Sequence, residues 1–337
     1  MTRAAAQVVI GIALAAVLAG CGMFGTPSAV STGHPAAPSG SSAGASAAAT
    51  NALPYDVSGL VDPTAGKFLG VEATGAPDAL GPVTSFAAGI GRKPNLIGQY
   101  VGWNNTFSAR AATNAWSYGA LYYMAWEPFG TTVAAIADGR SDGYVTGFAE
   151  AVRALNLPVA ISFGHEMNGN WYPWGTTQAT PAQFVAAWRR IHHLFTQAGA
   201  SNVIWVWNPN DIYPVPDVKL RPYWPGDSYV DWVGITGYFG IIGPQTYAGL
   251  YAPTIRELRQ FTTKPFIIAE TSIQTGPAEV TCAVNLVHTV TRHSDVLGFI
   301  WFDYEKAGVD WRIESRPILR AAIAKDVARL GLIDPKK

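Results

Sequence analysis

The hydrophobic positions of this chain recur in short continuous runs, rich in β-branched and aromatic residues, as expected of strands buried on both faces. Eight runs are predicted as strands: 68–73, 96–103, 121–126, 158–163, 203–207, 232–238, 265–270 and 297–302. Longer stretches with helical spacing separate several of them, most clearly at 143–155, 180–198, 249–261 and 278–293. The connection at 102–119 has poor helical periodicity.

Eight strand-then-helix units favour a closed (β/α)8 TIM barrel over an open doubly wound sheet. We assign the barrel to residues 53–333 as a single domain. In such a barrel the functional residues lie where the strands end, at the carboxyl face. We therefore expect the functional side chains at that face of the barrel.

The residues before the barrel have a different character. Arg3 precedes an apolar run, and Leu18-Ala19-Gly20-Cys21 resembles a bacterial lipobox, so residues 1–20 are predicted as a lipoprotein signal peptide with Cys21 as the lipidated residue. The alternative is an ordinary secretory signal with a chance cysteine. Residues 21–52 are Ser, Ala, Gly and Pro rich and are predicted as a flexible linker. We expect an exported protein, lipid-anchored to the cell membrane on its extracytoplasmic face.

The balance of charged residues limits the kinds of molecule that the protein is expected to bind. The chain has 23 basic and 23 acidic residues, a formal net charge of zero, and no long run of either sign. Nothing in that pattern attracts nucleic acid, and membrane contact is expected through the lipid anchor alone. The 12 Trp, 14 Tyr and 14 Phe suit a neutral partner bound on aromatic surfaces. We expect a monomer.

Two glutamates stand out at strand ends. Glu166 follows the fourth predicted strand and enters a loop, 164–175, that is crowded with aromatic rings, and Glu270 ends the seventh. Strands four and seven lie on roughly opposite walls of an eight-stranded barrel. Two carboxyl groups facing each other beside aromatic surfaces match what cleavage of a glycosidic bond requires: an acid for the leaving oxygen and a base or nucleophile.

Other polar and aromatic residues share the same face. Candidates for binding a sugar are Trp103, Trp126, His165, Trp171, Tyr238 and Trp301. Five further carboxyl groups compete with the pair, with hydrogen bonds to sugar or ion pairs at the rim as their alternative roles: Glu72, Glu127, Asp211, Asp303 and Glu305.

The sequence contains no recognisable motif for binding a metal ion or a nucleotide. His165-Glu166 begins like the zinc motif His-Glu-x-x-His, but Gly169 stands where the second histidine is required. The remaining histidines lack ligand spacing, and there is no glycine-rich phosphate loop. We expect neither a metal nor a cofactor.

Several of these segments together resemble glycoside hydrolase family 26 over residues 66–320. They are His-Glu-Met-Asn-Gly at 165–169, Val-Gly-Ile-Thr-Gly-Tyr at 233–238, Ala-Glu-Thr-Ser at 269–272 and Trp-Phe at 301–302 with Asp-Trp-Arg at 310–312. The resemblance implies a retaining (β/α)8 hydrolase with Glu166 as acid/base and Glu270 as nucleophile. It also implies that His165 and Tyr238 hold the nucleophile and the sugar, and that Trp171 and Trp301 line the adjacent subsites.

The sequence departs from many mannanases of that family in its sugar-recognition segments. Those carry Arg-Pro-x-His-Glu and Trp-Phe-Trp-Trp-Gly, where residues 162–166 here read Ser-Phe-Gly-His-Glu and residues 171–175 read Trp-Tyr-Pro-Trp-Gly. An acid often lies two residues before the strand-six tyrosine, where this chain has Thr236. We expect endo-acting hydrolysis of a neutral β-1,4-linked polysaccharide, β-mannan or glucomannan first. The alternatives are mixed-linkage β-1,3/1,4-glucan hydrolysis, transglycosylation of envelope glycans, and non-catalytic carbohydrate binding.

Overall fold

The computed structural model describes residues 53–62, 66–306 and 308–337. The predicted signal peptide, the lipidation site at Cys21 and the linker lie outside these residues. Within the described ranges, no helix has both the length and the apolar character needed to cross a bilayer.

The core of the fold is a closed barrel of eight parallel strands in which each strand pairs with the next and β1 pairs with β8. The strands are β1 (Phe68–Ala73), β2 (Leu96–Gly102), β3 (Leu121–Glu127), β4 (Val159–Phe163), β5 (Val203–Trp207), β6 (Trp232–Thr236), β7 (Phe266–Thr271) and β8 (Val296–Asp303). This confirms the predicted (β/α)8 barrel. A two-stranded hairpin follows it, β9 (Glu305–Lys306) and β10 (Val309–Asp310).

The helices of the described residues are α1 (Ser58–Val61), α2 (Gly81–Ile90), α3 (Ala109–Tyr118), α4 (Val133–Ala137), α5 (Asp142–Leu155), α6 (Pro181–Ala198), α7 (Tyr247–Leu250), α8 (Ala252–Leu258), α9 (Glu279–Arg292) and α10 (Pro317–Val327). The prediction of one helix at 249–261 is wrong in its bounds, because α7 ends at Leu250 and α8 runs over Ala252–Leu258 with Pro253 in its first turn. Proline lacks the N–H that a helix interior needs, so it suits a first turn instead. The weakly patterned connection holds α3, capped by Ser108 and ended by Gly119 in the left-handed region.

Side chains alternate between two buried layers. One cluster fills the barrel interior with Phe68, Leu121, Tyr123 and Trp232 among its members, and α1 adds Leu60. A larger cluster fills the space between barrel and helices. Because successive strand residues point to opposite faces, this alternation decides which residues can reach the barrel mouth.

Candidate active site

Glu166 leaves β4 in an unusual backbone conformation. Its φ is 55°, in the left-handed region that non-glycine residues seldom adopt. The Glu166 N–H donates to the carbonyl of Asn208 at 2.7 Å, which ties the turn to the end of β5. Strain of this kind persists only when surrounding contacts enforce it, and it is frequent at functional sites.

The two carboxyl oxygens of Glu166 accept hydrogen bonds from opposite sides. Nε1 of Trp171 donates to Oε2 at 2.7 Å, and Nδ2 of Asn210 donates to Oε1 at 2.5 Å. Gly169 leaves room for the indole, because a Cβ there would lie 2.4 Å from the Trp171 ring. The carboxyl group is therefore buried and held in one orientation.

Glu270 reaches the mouth through an irregularity in β7. The interior residues Ile267 and Ala269 set an alternation that would turn residue 270 outward. The register against β6 shifts between Gly234 and Thr236, so that an extra residue is accommodated and the strand bends. Glu270 is partly exposed as a result.

Two phenols hold the Glu270 carboxyl group. The hydroxyl of Tyr238 donates to Oε1, and Oη of Tyr100 lies 2.5 Å from Oε2. Hydrogen bonds of this type stabilise the ionised form.

The surroundings of the two glutamates affect the pKa values of their carboxyl groups differently. Burial raises the pKa of Glu166 to about 8, with a further contribution from the charge of Glu270, against the lowering effect of its two donors. Burial also raises the pKa of Glu270, and the Tyr100 and Tyr238 hydroxyls oppose that rise. One carboxyl group that keeps its proton beside one that is held by phenol donors is the arrangement of an acid and a nucleophile.

Of the five competing carboxyl groups, two belong to the same mouth. Glu72 on β1 is buried with Oε2 2.9 Å from Oη of Tyr100. Glu127 ends β3, and burial raises its pKa to about 8, with the nearby charges of Lys306 and Glu270 as the smaller influences. The charge of Glu270 contributes to the raised pKa of both groups.

The other three competitors make structural hydrogen bonds. Asp211 accepts from the Tyr213 N–H at 2.8 Å, and Asp303 accepts from the Ile313 N–H at 2.8 Å. Glu305 is exposed and pairs with Arg312 at 2.9 Å. Each carboxylate organises a loop at the rim.

His165 occupies a different place from the one the resemblance implies. It is fully buried, and Nε2 lies 3.2 Å from the Tyr172 hydroxyl rather than against Glu270. Burial lowers the pKa of His165 to about 3, so the ring is neutral. Among the described residues its Nδ1 has no hydrogen-bond partner.

Three predicted sugar-binding tryptophans are wrong because they lie in the outer layer. Trp126 and Trp301 are 0% and 1% exposed and pack between barrel and helices. Trp103 is 6% exposed, with its ring centroid 4.6 Å from that of Trp126. Trp126 and Trp301 alternate with inward residues on their strands, and Trp103, which follows β2, packs in the same outer cluster. Trp171 and Tyr238 do lie at the carboxyl pair.

Two residues of the site, Tyr100 and Asn210, were not assigned a role from the sequence. Side chains of a strand alternate between its two faces, so Tyr100 points to the same, inward face of β2 as Leu96. Counting every second residue from Leu96 would have placed Tyr100 at the barrel mouth. Asn210 lies in irregular chain after β5, where no such count applies.

In the part of the chain that the structure describes, no group of three or more His, Cys, Asp or Glu side chains could hold a metal ion.

Comparison with known proteins gives a family match over the segment that carries both glutamates. Residues 140–271 match the family described as Glycosyl hydrolase family 26. Endoglucanase H of Acetivibrio thermocellus is 31% identical over 256 residues, which are 71% of this chain and 28% of that protein. Mannan endo-1,4-beta-mannosidase of Bacillus subtilis strain 168 is 31% identical over 110 residues, 30% of this chain and 29% of that protein. The chain thus spans less than a third of the length of these two relatives.

Solved structures share the fold. The modular endo-beta-1,4-mannanase of Cellulomonas fimi has a TM-score of 0.65 at 16% identity, covering 82% of this chain and 74% of that one. A family 26 beta-mannanase from Bacteroides ovatus has a TM-score of 0.56 at 14% identity, covering 81% and 93%. These structures show the shared fold, and the family assignment rests on the match of residues 140–271, which include Glu166 and Glu270, to glycoside hydrolase family 26.

Proposed function

We propose that this protein is a retaining, endo-acting glycoside hydrolase, with Glu166 as acid/base and Glu270 as nucleophile. The observation that carries the proposal is the asymmetric pair itself: a buried carboxyl group with its pKa raised to about 8 beside one held by two phenols. A binding protein has no need of such a pair.

In the first step, a carboxylate oxygen of Glu270 attacks the anomeric carbon while the bond to the leaving oxygen breaks. Glu166 gives its proton to that oxygen, and a covalent glycosyl ester forms. In the second step, water attacks the same carbon, Glu166 takes the proton from water, and Glu270 departs as a carboxylate. Two inversions leave the original β configuration.

For the substrate we propose a neutral polysaccharide with internal β-1,4 linkages, β-mannan or glucomannan first. The support is the naming of relatives as mannan endo-1,4-beta-mannosidases. Trp171 is partly exposed beside Glu166 and offers an aromatic surface to the sugar.

A second candidate substrate is β-glucan. Endoglucanase H aligns with more of this chain than the mannosidases do. In addition, the position where many mannanases carry an acid holds Thr236, which is buried and 3.2 Å from Nδ2 of Asn208. That position therefore presents no carboxylate to a mannose ring.

Incubation with mannan, glucomannan, lichenan and xylan, followed by analysis of the released oligosaccharides, tests both proposals. Glu270→Gln, which keeps the shape of the side chain, is the matched control. Release of internal fragments by the parent alone supports endo hydrolysis, and the preferred polymer identifies the substrate. Lack of cleavage of every polymer would contradict the proposed function.

We also propose that the mature protein is a monomer, anchored through lipid on Cys21 at the extracytoplasmic face of the cell membrane. The lipobox-like sequence Leu18-Ala19-Gly20-Cys21 supports the anchor.

A further inference from the structure

A single tyrosine hydroxyl bridges two carboxyl groups at the barrel mouth. Oη of Tyr100 lies 2.5 Å from Oε2 of Glu270 and 2.9 Å from Oε2 of Glu72. A phenol has one proton to donate, so it cannot donate to both groups. One of the two contacts must run the other way, with a protonated carboxyl group as donor.

The geometry decides which group donates. Glu270 makes the shorter contact with Tyr100 and also accepts a hydrogen bond from Tyr238. Oε1 of Glu72 is buried and, among the described residues, has no hydrogen-bond partner. An ionised carboxylate with one bare oxygen in a buried position is costly, whereas a neutral acid tolerates it far better.

We propose that Glu72 is a neutral carboxylic acid whose O–H donates to the hydroxyl of Tyr100, and that this fixes Tyr100 as a donor to Glu270. The proposal rests on the function given above, in which Glu270 must be ionised to attack. Glu72 is thus a positioning residue that acts on the nucleophile through Tyr100.

The surroundings of Glu72 agree with a neutral group. Its side chain crosses β2 at Gly98, where a Cβ would lie 2.3 Å from Cγ of Glu72. Burial raises the pKa of Glu72 well above its usual value, the charge of Glu270 adds to the rise, and the Tyr100 hydrogen bond and Lys306 oppose it. Among the described residues, further titratable groups that interact with its charge are Glu127, Tyr123, Tyr172, Tyr238 and Tyr304.

The protonation of Glu72 has two consequences for the nucleophile. An ionised Glu72 would compete for the Tyr100 proton and would raise the pKa of Glu270 by repulsion. A neutral Glu72 avoids both effects, because its own proton occupies the acceptor lone pair of Tyr100 and leaves the phenol proton for Glu270.

Two substitutions separate this arrangement from its reverse. Glu72→Gln keeps an N–H donor of similar reach, so kcat should stay within about threefold of the parent. Glu72→Met keeps the length but removes the donor. The Tyr100 hydroxyl is then no longer fixed as a donor to the Glu270 carboxylate, and weakening of that charge-assisted hydrogen bond should lower kcat about ten- to a hundredfold. The acid limb of the pH profile should move up by about one unit, with little change in KM.

Tyr100→Phe should show the same loss, and Glu72→Met should add little to it, because both changes act on one chain of hydrogen bonds. Circular dichroism and thermal melting establish that each variant is folded. If Glu72→Gln is as impaired as Glu72→Met, a neutral donor at this position does not support Tyr100 and the proposal is overturned.

A second measurement is independent of activity. Carbon-13 carboxyl NMR of the parent, with the Glu72 signal assigned by its disappearance in Glu72→Met, reports the protonation of Glu72 directly. Glu72 should remain protonated at ~pH 7, where an ordinary glutamate is ionised. A carboxylate signal there contradicts the inference even if the enzyme is fully active, whereas an inactive parent with a protonated Glu72 would contradict only the proposed function.

Discussion

The hydrogen bond from Asn210 to Glu166 gives the sharpest test of how the acid is tuned. Nδ2 of Asn210 donates to Oε1 of Glu166 at 2.5 Å and stabilises the ionised form of that carboxyl group. Asn210→Ala removes this donor and leaves Trp171 on the other oxygen. Because a bond to the charged form lowers a pKa, its loss should raise the pKa of Glu166 above about 8.

The size of the shift follows from the strength of such a bond. A hydrogen bond to a charged group contributes about 1.5–3 kcal/mol, and one pKa unit corresponds to about 1.36 kcal/mol. The basic limb of the pH profile should therefore move up by about one to two units. Activity requires Glu166 to be protonated, so the active range should widen toward alkaline pH.

The assay is kcat/KM against pH, which reports the groups of the free enzyme. Asn208→Ala is the matched control, because Asn208 is a buried asparagine at the same strand end whose side chain bonds Thr236 instead. Its basic limb should stay in place. A limb that is unchanged or lowered in Asn210→Ala would refute the assignment of that limb to Glu166.

Three further outcomes are expected. Glu166→Ala should lose far less turnover on aryl glycosides with activated leaving groups than on polysaccharide, because such groups depart without protonation; equal losses in parallel assays would remove Glu166 as the acid. Trp126→Ala should lower the free energy of unfolding by about 3–5 kcal/mol in denaturant titrations while KM stays unchanged, since the ring is buried in the outer layer; a raised KM at unchanged stability would return it to the sugar site. Cys21→Ala should release the protein from the detergent phase or block its processing, and unchanged partitioning would exclude the lipid anchor.

The barrel, and the location of the two glutamates at its mouth, could be predicted because both depend on simple regularities. Eight buried runs, each followed by a connecting segment, allow few architectures, and the active face of a parallel barrel is the one where strands end. Glu166 follows β4, and Glu270 lies near the end of β7. No knowledge of side-chain contacts was needed for either inference.

The tryptophan predictions failed because they considered how near each residue lies to a strand end but not which face of the strand it occupies. On β3 the interior positions are Leu121, Tyr123 and Ala125, which puts Trp126 on the outer face. The same count places Tyr100 inward on β2. Counting alternate residues would still place Glu270 on the outer face. The irregular register of β7 turns it inward, and that irregularity has no clear sequence signal.

The central claim is that Glu166 and Glu270 act together as acid and nucleophile in a double displacement. Proton NMR during the first minutes of hydrolysis of a β-linked oligosaccharide tests it most directly, because it shows the product before mutarotation. Two inversions at the same carbon predict that the β anomer forms first and the α anomer appears later. An initial α anomer would mean a single inversion and would contradict the assignment of Glu270 as the nucleophile.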